Sequence, residues 1–536
     1  MKTGPGGSWL GKVGLGVFLV IGVAMAEEEP ATETIIRAGI AGEAEQENTP
    51  GRIFRKTGGD QVSINVGIFE KLADGSEQWV AAPVGIVPAG EWITFEEVDE
   101  FSFPSQYGKP SLPKEVTPTN DSVAWETNDQ HLFLPAHPAK FKDRELGRVL
   151  KLRPEFDGDG SLTIRAILHQ SALRGFAKQG TPISVEETGK LMGRKKTEFV
   201  AENAQWKPVV MERTREWLFL PDGKGGFDPR EVKDSGVPKN GNEQVEVPKF
   251  ATDLCLATLP DLRLEIEAER LEPEPSSEPA TEFPDNAHIF VTSKFIELSD
   301  EALPRPTPVE APLTAALFSE TEVQHWIRAM NQNRGVDLLS APSVMLKNGQ
   351  DGVVEVIREF IYPREYDPPM MAAQSEQGAF PVTPATPTEF RTRPTGVRLN
   401  LQARLLQDGL IEIDLSPELA EQVGFFNFGG PIIMNEIRDG HRDRRIHLSD
   451  NRIEYPVFHR RSLDTTVRLR DGESVLLGGL IHEDSQDVED KIPVLGDLPL
   501  IGQVARKQFV LQTRRQVFLL INAQVVNAAG MPATVR

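Results

Sequence analysis

From Val397 onward, Val397, Leu399, Leu401, Ala403 and Leu405 alternate with Arg398, Asn400, Gln402 and Arg404, the period of a strand with one apolar and one polar face. After a turn at Asp408 and Gly409, Ile411, Ile413 and Leu415 alternate with Glu412, Asp414 and Ser416, as an antiparallel partner should. Asn348 and Gly349 precede the run GVVEVIREFIY, and Asp471 and Gly472 join LDTTVRLR to SVLLGGLIH. Both dipeptides tolerate positive φ, so each predicts a two-residue hairpin. Further strands are expected at HIFVTSKFIEL (His288 to Leu298) and QVFLLINAQVV (Gln516 to Val526); the second is apolar on both faces and should be buried on both sides. One helix is expected, with Ser319 and Glu322 as its capping box and Val323, Trp326, Ile327 and Met330 as its core stripe. The chain reads as mainly β, an antiparallel domain with a short helix. Periodicity fits a barrel wall, a sandwich or an open sheet equally well.

A degenerate internal repeat extends this reading upstream. Residues 82–107 align without gaps to 341–366 with eight identities, including Ala82/Ala341, Pro83/Pro342, Glu100/Glu359, Phe101/Phe360, Pro104/Pro363 and Tyr107/Tyr366. GRVLKLRPEFDGDGSLTI mirrors GVRLNLQARLLQDGLIEI around the turns Asp159-Gly160 and Asp408-Gly409, and REWLFLP echoes REFIYP. A second β-rich region therefore precedes the first. The expected organisation is a signal peptide at 1–26, an acidic flexible leader at 27–58, the degenerate β-rich region at 59–269, a Pro/Glu/Ser-rich linker at 270–286, the C-terminal β-domain at 287–528 and a tail at 529–536. Residues 368–394, rich in proline and without periodicity, read as a long loop.

Composition narrows the function. The formal charge of −22 argues against a nucleic-acid partner, which needs a basic face to neutralise phosphates. Lys2 and Lys12 precede the apolar run VGLGVFLVIGVAMA, which ends in Ala24, Met25 and Ala26 before Glu27. The run falls short of the ~20 residues that span a bilayer as a helix, so it reads as an export signal cleaved after Ala26. The single cysteine, Cys255, leaves no disulfide within the chain. Histidines show no metal-ligand spacing; His441, His447, His459 and His482 read as scattered surface or turn residues. No phosphate loop, nucleophile elbow or paired-acid motif stands out, so no catalytic site, metal or cofactor is expected.

Four ordered segments carry a family resemblance: DLLSAPSVMLKNGQDGVVEVIREFIYP, PTGVRLNLQARLLQDGLIEIDLSPEL, YPVFHRRSLDTTVRLRDGESVLLGGLIHED and KIPVLGDLPLIGQVARKQF. Together they resemble the β-domain of the secretins, the outer-membrane ring proteins of type II and type III secretion and of type IV pili. The most specific part is RDGESVLLGGLI, with Asp471, Gly472, Glu473, Gly478 and Gly479, followed by IPVLGDLPLIG. The resemblance implies that Pro493, Val494, Leu495, Gly496, Asp497, Leu498, Pro499, Leu500, Ile501 and Gly502 form a membrane lip, and that Arg398, Arg404, Glu412 and Asp414 lie on the wetted wall face of a large barrel. The family's gate position is the run from Arg364 to Pro394, where strand alternation is absent. The implied function is a subunit of a multimeric outer-membrane channel for protein secretion or pilus-like export. Its partners would be copies of itself in a ring, the outer membrane, and secretion or pilus machinery. The alternative is a periplasmic, secretin-related scaffold that forms no open pore.

Overall fold

The computed structural model describes residues 34–40, 61–72, 74–108, 130–132, 137–179, 183–186, 198–201, 205–223, 226–236, 245–246, 259–271, 287–299, 317–332, 335–371, 382–406, 409–438, 442–491 and 506–532. The expected signal peptide, most of the expected leader and linker, and the whole expected lip, Pro493 to Gly502, lie outside the described residues. No helix among those described is long and apolar enough to cross a membrane.

The first half contributes β1 (Thr34–Ile40), β2 (Gln61–Lys71), β3 (Glu77–Ala81), β4 (Val84–Pro88), β5 (Ile93–Tyr107), β6 (Pro138–Phe156), β7 (Leu162–Gln179), β8 (Gln205–Pro221), β9 (Phe227–Asp234) and β10 (Leu262–Leu271). The second contributes β11 (His288–Ser299), α1 (Glu320–Gln332), β12 (Val336–Ser340), β13 (Ser343–Lys347), β14 (Asp351–Asp367), β15 (Thr386–Leu405), β16 (Ile411–Asn427), β17 (Glu454–Leu469), β18 (Ser474–Lys491) and β19 (Arg506–Val526). Two antiparallel sheets hold these strands. The longer, here called the wall sheet, runs β1-β14-β15-β16-β17-β5-β6-β7-β8-β9, and the inner sheet runs β10-β2-β4-β18-β19-β11-β12. Both sheets therefore cross from one repeat to the other. Their facing apolar sides make one core, in which Ile64, Ile86, Ile93, Phe95 and Ile164 of the first repeat join Leu399, Leu401, Ile411, Val467, Leu476 and Ile521 of the second. The expected alternation at 397–405 and 411–415 supplies much of it. The capping box is present, with the Glu322 carboxylate accepting from the Ser319 amide at 2.8 Å, and Val323 is buried.

The two repeats match strand for strand and pair for pair. Ile93↔Leu152 and Gly147↔Ser171 in the first correspond to Gly352↔Leu401 and Gly396↔Ala420 in the second. Bulges recur at the same place, around Gln106 and Glu365. Tyr107 donates to the Trp206 carbonyl at 2.9 Å and Tyr366 to the Glu454 carbonyl at 3.0 Å. In each copy the end of the first wall strand is thus tied to the start of the fourth, and burial pushes both phenols up to about 12. Each copy is a four-stranded unit curled on itself. Aromatic rings fill the curl of the second copy, with Phe360 and Phe458 at 5.7 Å, and bridge the two copies, with Phe141 of β6 stacked on Tyr455 of β17 at 3.7 Å.

Several expectations need correction. The turns at Asn348-Gly349 and Asp471-Gly472 form, both glycines having positive φ, but neither closes a hairpin. β13 pairs with β11 while β14 pairs with β15, and β17 pairs with β16 and β5 while β18 pairs with β19. Each turn instead passes the chain from one sheet to the other. Residues 386–394, expected as loop, are the first half of β15 and pair with the end of β14; they are largely exposed on both faces, which erases alternation. REWLFLP lies in β8, the fourth strand of its unit, and so has no structural relation to REFIYP in β14. Within the acidic leader, Thr34–Ile40 forms a strand on the edge of β14, consistent with its β-branched run TIIRAGI.

Candidate functional site

The repeats meet where β17, the last strand of one wall unit, hydrogen-bonds to β5, the first of the other, from Phe458↔Glu100 to Asp464↔Thr94. Opposite charges line the joint, because YPVFHRRS in β17 lies against FEEVDEF in β5. Arg460 reaches Glu96 at 2.9 Å, Glu100 at 3.1 Å and Glu145 at 2.7 Å with little solvent exposure. Burial works against its charge, but Glu145, Glu96 and Glu100 outweigh it and raise the guanidinium pKa. Arg393 from β15 binds Glu100 at 2.8 Å and Glu418 at 3.1 Å. On the other face His459 Nδ1 lies 2.7 Å from Asp99, and Arg148 reaches Glu97 at 2.7 Å. Such a half-buried network fixes partner and register more than it adds stability.

His459 is therefore buried in the joint, contrary to its expected surface position, because the joint covers the strand that carries it. His447 is exposed beside Asp450, whereas His441 and the side chain of His482 lie outside the described residues. Among the described residues no group of histidine, cysteine and carboxylate side chains is placed to hold a metal.

The charges expected on the wetted face share one side of the wall sheet. Arg404 bridges Glu412 at 3.0 Å and Asp414 at 3.1 Å, Arg398 binds Glu355 at 2.9 Å, and Arg468 adds a second contact to Glu412 at 3.0 Å. They form a ladder of ion pairs, partly shielded from solvent.

The signature glycines sit where the repeats meet in the inner sheet. Gly478 pairs with Val84, and the Ala82 amide donates to the Gly479 carbonyl at 3.3 Å. Both have positive φ, and a Cβ on Gly479 would lie 2.0 Å from the Ala82 carbonyl oxygen; only glycine allows the approach. Asp471 accepts from the Val525 amide at 2.7 Å, and Glu473 from the Arg470 amide at 2.8 Å, which pins the turn. The sequence reading missed Arg460, Glu96, Glu100 and His459. The available signal was the complementary charge of HRR and EEVDE.

At the far margin β9 covers Arg215–Pro221 of β8, held by Arg213 on Asp234 at 2.7 Å. Hydrogen bonding from Arg213 lowers the Asp234 carboxyl to about 2. A depressed carboxyl stabilises the fold above the ordinary value of 3.8 and loses that contribution as pH falls towards about 2. Amide exchange across Phe227–Asp234, corrected for intrinsic rate, should accelerate over that window, and Asp234→Asn should show the acceleration already at neutral pH. Unchanged protection in both cases would remove the clamp from the account.

Residues 329–527 match a family model described as Secretin, bacterial type II and III secretion system protein. The chain is similar to Secretin XcpQ of Pseudomonas aeruginosa, 33% identical over 78 residues, covering 14% of this chain and 12% of that protein. It is also similar to Secretin GspD of Vibrio cholerae, 36% identical over 69 residues, covering 13% and 10%. The matched stretches thus span a small part of these curated relatives. A cryo-EM structure of the XcpQ secretin covers 46% of this chain and 60% of its own at 14% identity, with a TM-score of 0.19.

Proposed function

We propose, from the match of residues 329–527 to the secretin family model, that this chain is a wall subunit of a multimeric outer-membrane channel for protein secretion or pilus-like export, delivered by a signal peptide. The observation that carries this reading is the β17–β5 joint. It is the contact by which curled four-stranded units would extend edge to edge into a ring, formed here between two units of one chain. Each chain would then supply two wall units. The same contact between chains places residues 210–213 of β8, the part of the matching stretch that β9 leaves uncovered, against β14 of the next copy. Transferred through the repeat, the His459↔Asp99 pair sets Met211 beside Arg358.

In the ring, Arg398, Arg404, Glu412 and Asp414 would face the water-filled interior, and Pro493 to Gly502 would supply the membrane lip. The role is structural, in keeping with the family. A second reading, an accessory scaffold without a pore, is favoured by β9, whose Pro229 and charged residues suit a terminal edge. Native mass measurement of detergent-extracted protein, followed by planar-bilayer recording, separates the two. Large homomultimers with stepwise conductance are expected; multimers without conductance favour the scaffold, and lone chains overturn the ring.

A further inference from the structure

The wall sheet ends at β14, and its outer edge is occupied by the leader strand. β1 pairs antiparallel with β14 from Thr34↔Arg358 to Ile40↔Gly352. On β5, the strand equivalent to β14, the corresponding edge is taken by β17, antiparallel, over Thr94 to Glu100, positions that match Val353 to Glu359. The leader therefore lies along almost the same stretch of edge on which a neighbouring wall unit pairs. We infer that β1 is a strand plug, holding the chain-to-chain edge of β14 until β8 of a second copy displaces it. This rests on the ring reading above.

Two further observations fit a displaceable plug. Residues 41–60 connect β1 to β2, and at ~3.3–3.6 Å per residue this connection can reach up to ~70 Å, so β1 can leave its edge while β2 stays in the inner sheet. The incoming strand is also handicapped by charge. Where β17 sets Arg460 between Glu96 and Glu100, β8 of a second copy would set Glu212, held by Arg144, between Glu355 and Glu359, so the arginine that bridges the joint within the chain has no counterpart there. The joint within the chain is thus the stronger of the two, and a short leader strand suffices to hold the weaker edge.

The test locks the plug. Ile36 and Val356 are direct cross-strand partners, at a spacing that a disulfide can bridge. The full chain with Ile36→Cys and Val356→Cys, and with Cys255→Ser to remove the native thiol, is compared oxidised and reduced by native mass measurement. The oxidised protein should remain as single chains, and reduction should raise the multimer fraction at least tenfold. A chain lacking 34–40 should assemble without reductant, and Glu212→Arg should enhance assembly of the reduced protein. Equal multimers in both redox states would overturn the plug and leave the ring intact. Absence of multimers in both states and in the deletion would overturn both readings, and a disulfide found only between chains would overturn placement of the plug on its own chain.

Discussion

Gly479→Ala is expected to cost about 3 kcal/mol of folding stability and to loosen the contact between the repeats. A non-glycine residue at φ +83 costs ~1–2 kcal/mol. The new methyl group would also lie 2.0 Å from the Ala82 carbonyl oxygen, and relieving such overpacking costs a further ~1–3 kcal/mol. Gly472 is the internal control. It has φ +80, but a Cβ there meets nothing within 4 Å, so Gly472→Ala should show only the backbone cost of ~1–2 kcal/mol. Denaturant unfolding of both variants checks the contrast. Equal losses would mean that the Ala82 contact contributes nothing and that the two repeats are not held together in the inner sheet at the signature glycines.

Arg460→Met is expected to lower stability by about 2–3 kcal/mol. Removing one partner from a buried ion pair costs ~3–5 kcal/mol because a charge is left without compensation. The loss here should be smaller, since Glu100 keeps Arg393 and Glu145 is largely exposed, where a pair is worth little. Glu96 bears most of the damage, so adding Glu96→Gln to Arg460→Met should restore part of the loss. By contrast, Arg153→Met breaks the more exposed pair with Glu155 and should cost no more than ~1 kcal/mol. If the two arginine variants unfold at the same denaturant concentration, the ion network does not specify the joint.

Much of the wall was legible because its physics is local. From Val397 to Leu405 and from Ile411 to Leu415 the alternating apolar residues fall on one face, and that periodicity can be read without knowing that the inner sheet covers it. The repeat was visible in the same way, since Tyr107 and Tyr366 or Gly147 and Gly396 do the same work at the same register. The turns at Gly349 and Gly472 show where local reading stops. Their chemistry fixes a reversal of the chain, whereas the sheet each strand enters depends on partners far away, such as β11 for β13 and β5 for β17. The joint itself stayed hidden because Arg460 finds Glu96 across most of the chain. Residues 386–394 were missed for a different reason: a strand exposed on both faces has no apolar face to betray it.

The central claim is that the pairing of β17 with β5 within one chain is repeated between chains by β8 and β14. Cysteines placed at Met211 and Arg358, with Cys255 replaced by serine, test it most directly in whole cells under mild oxidation. A ladder of disulfide-linked multimers, absent from either single variant, is the predicted result. Contradiction would be complete if both cysteines stayed reduced while the protein ran only as single chains.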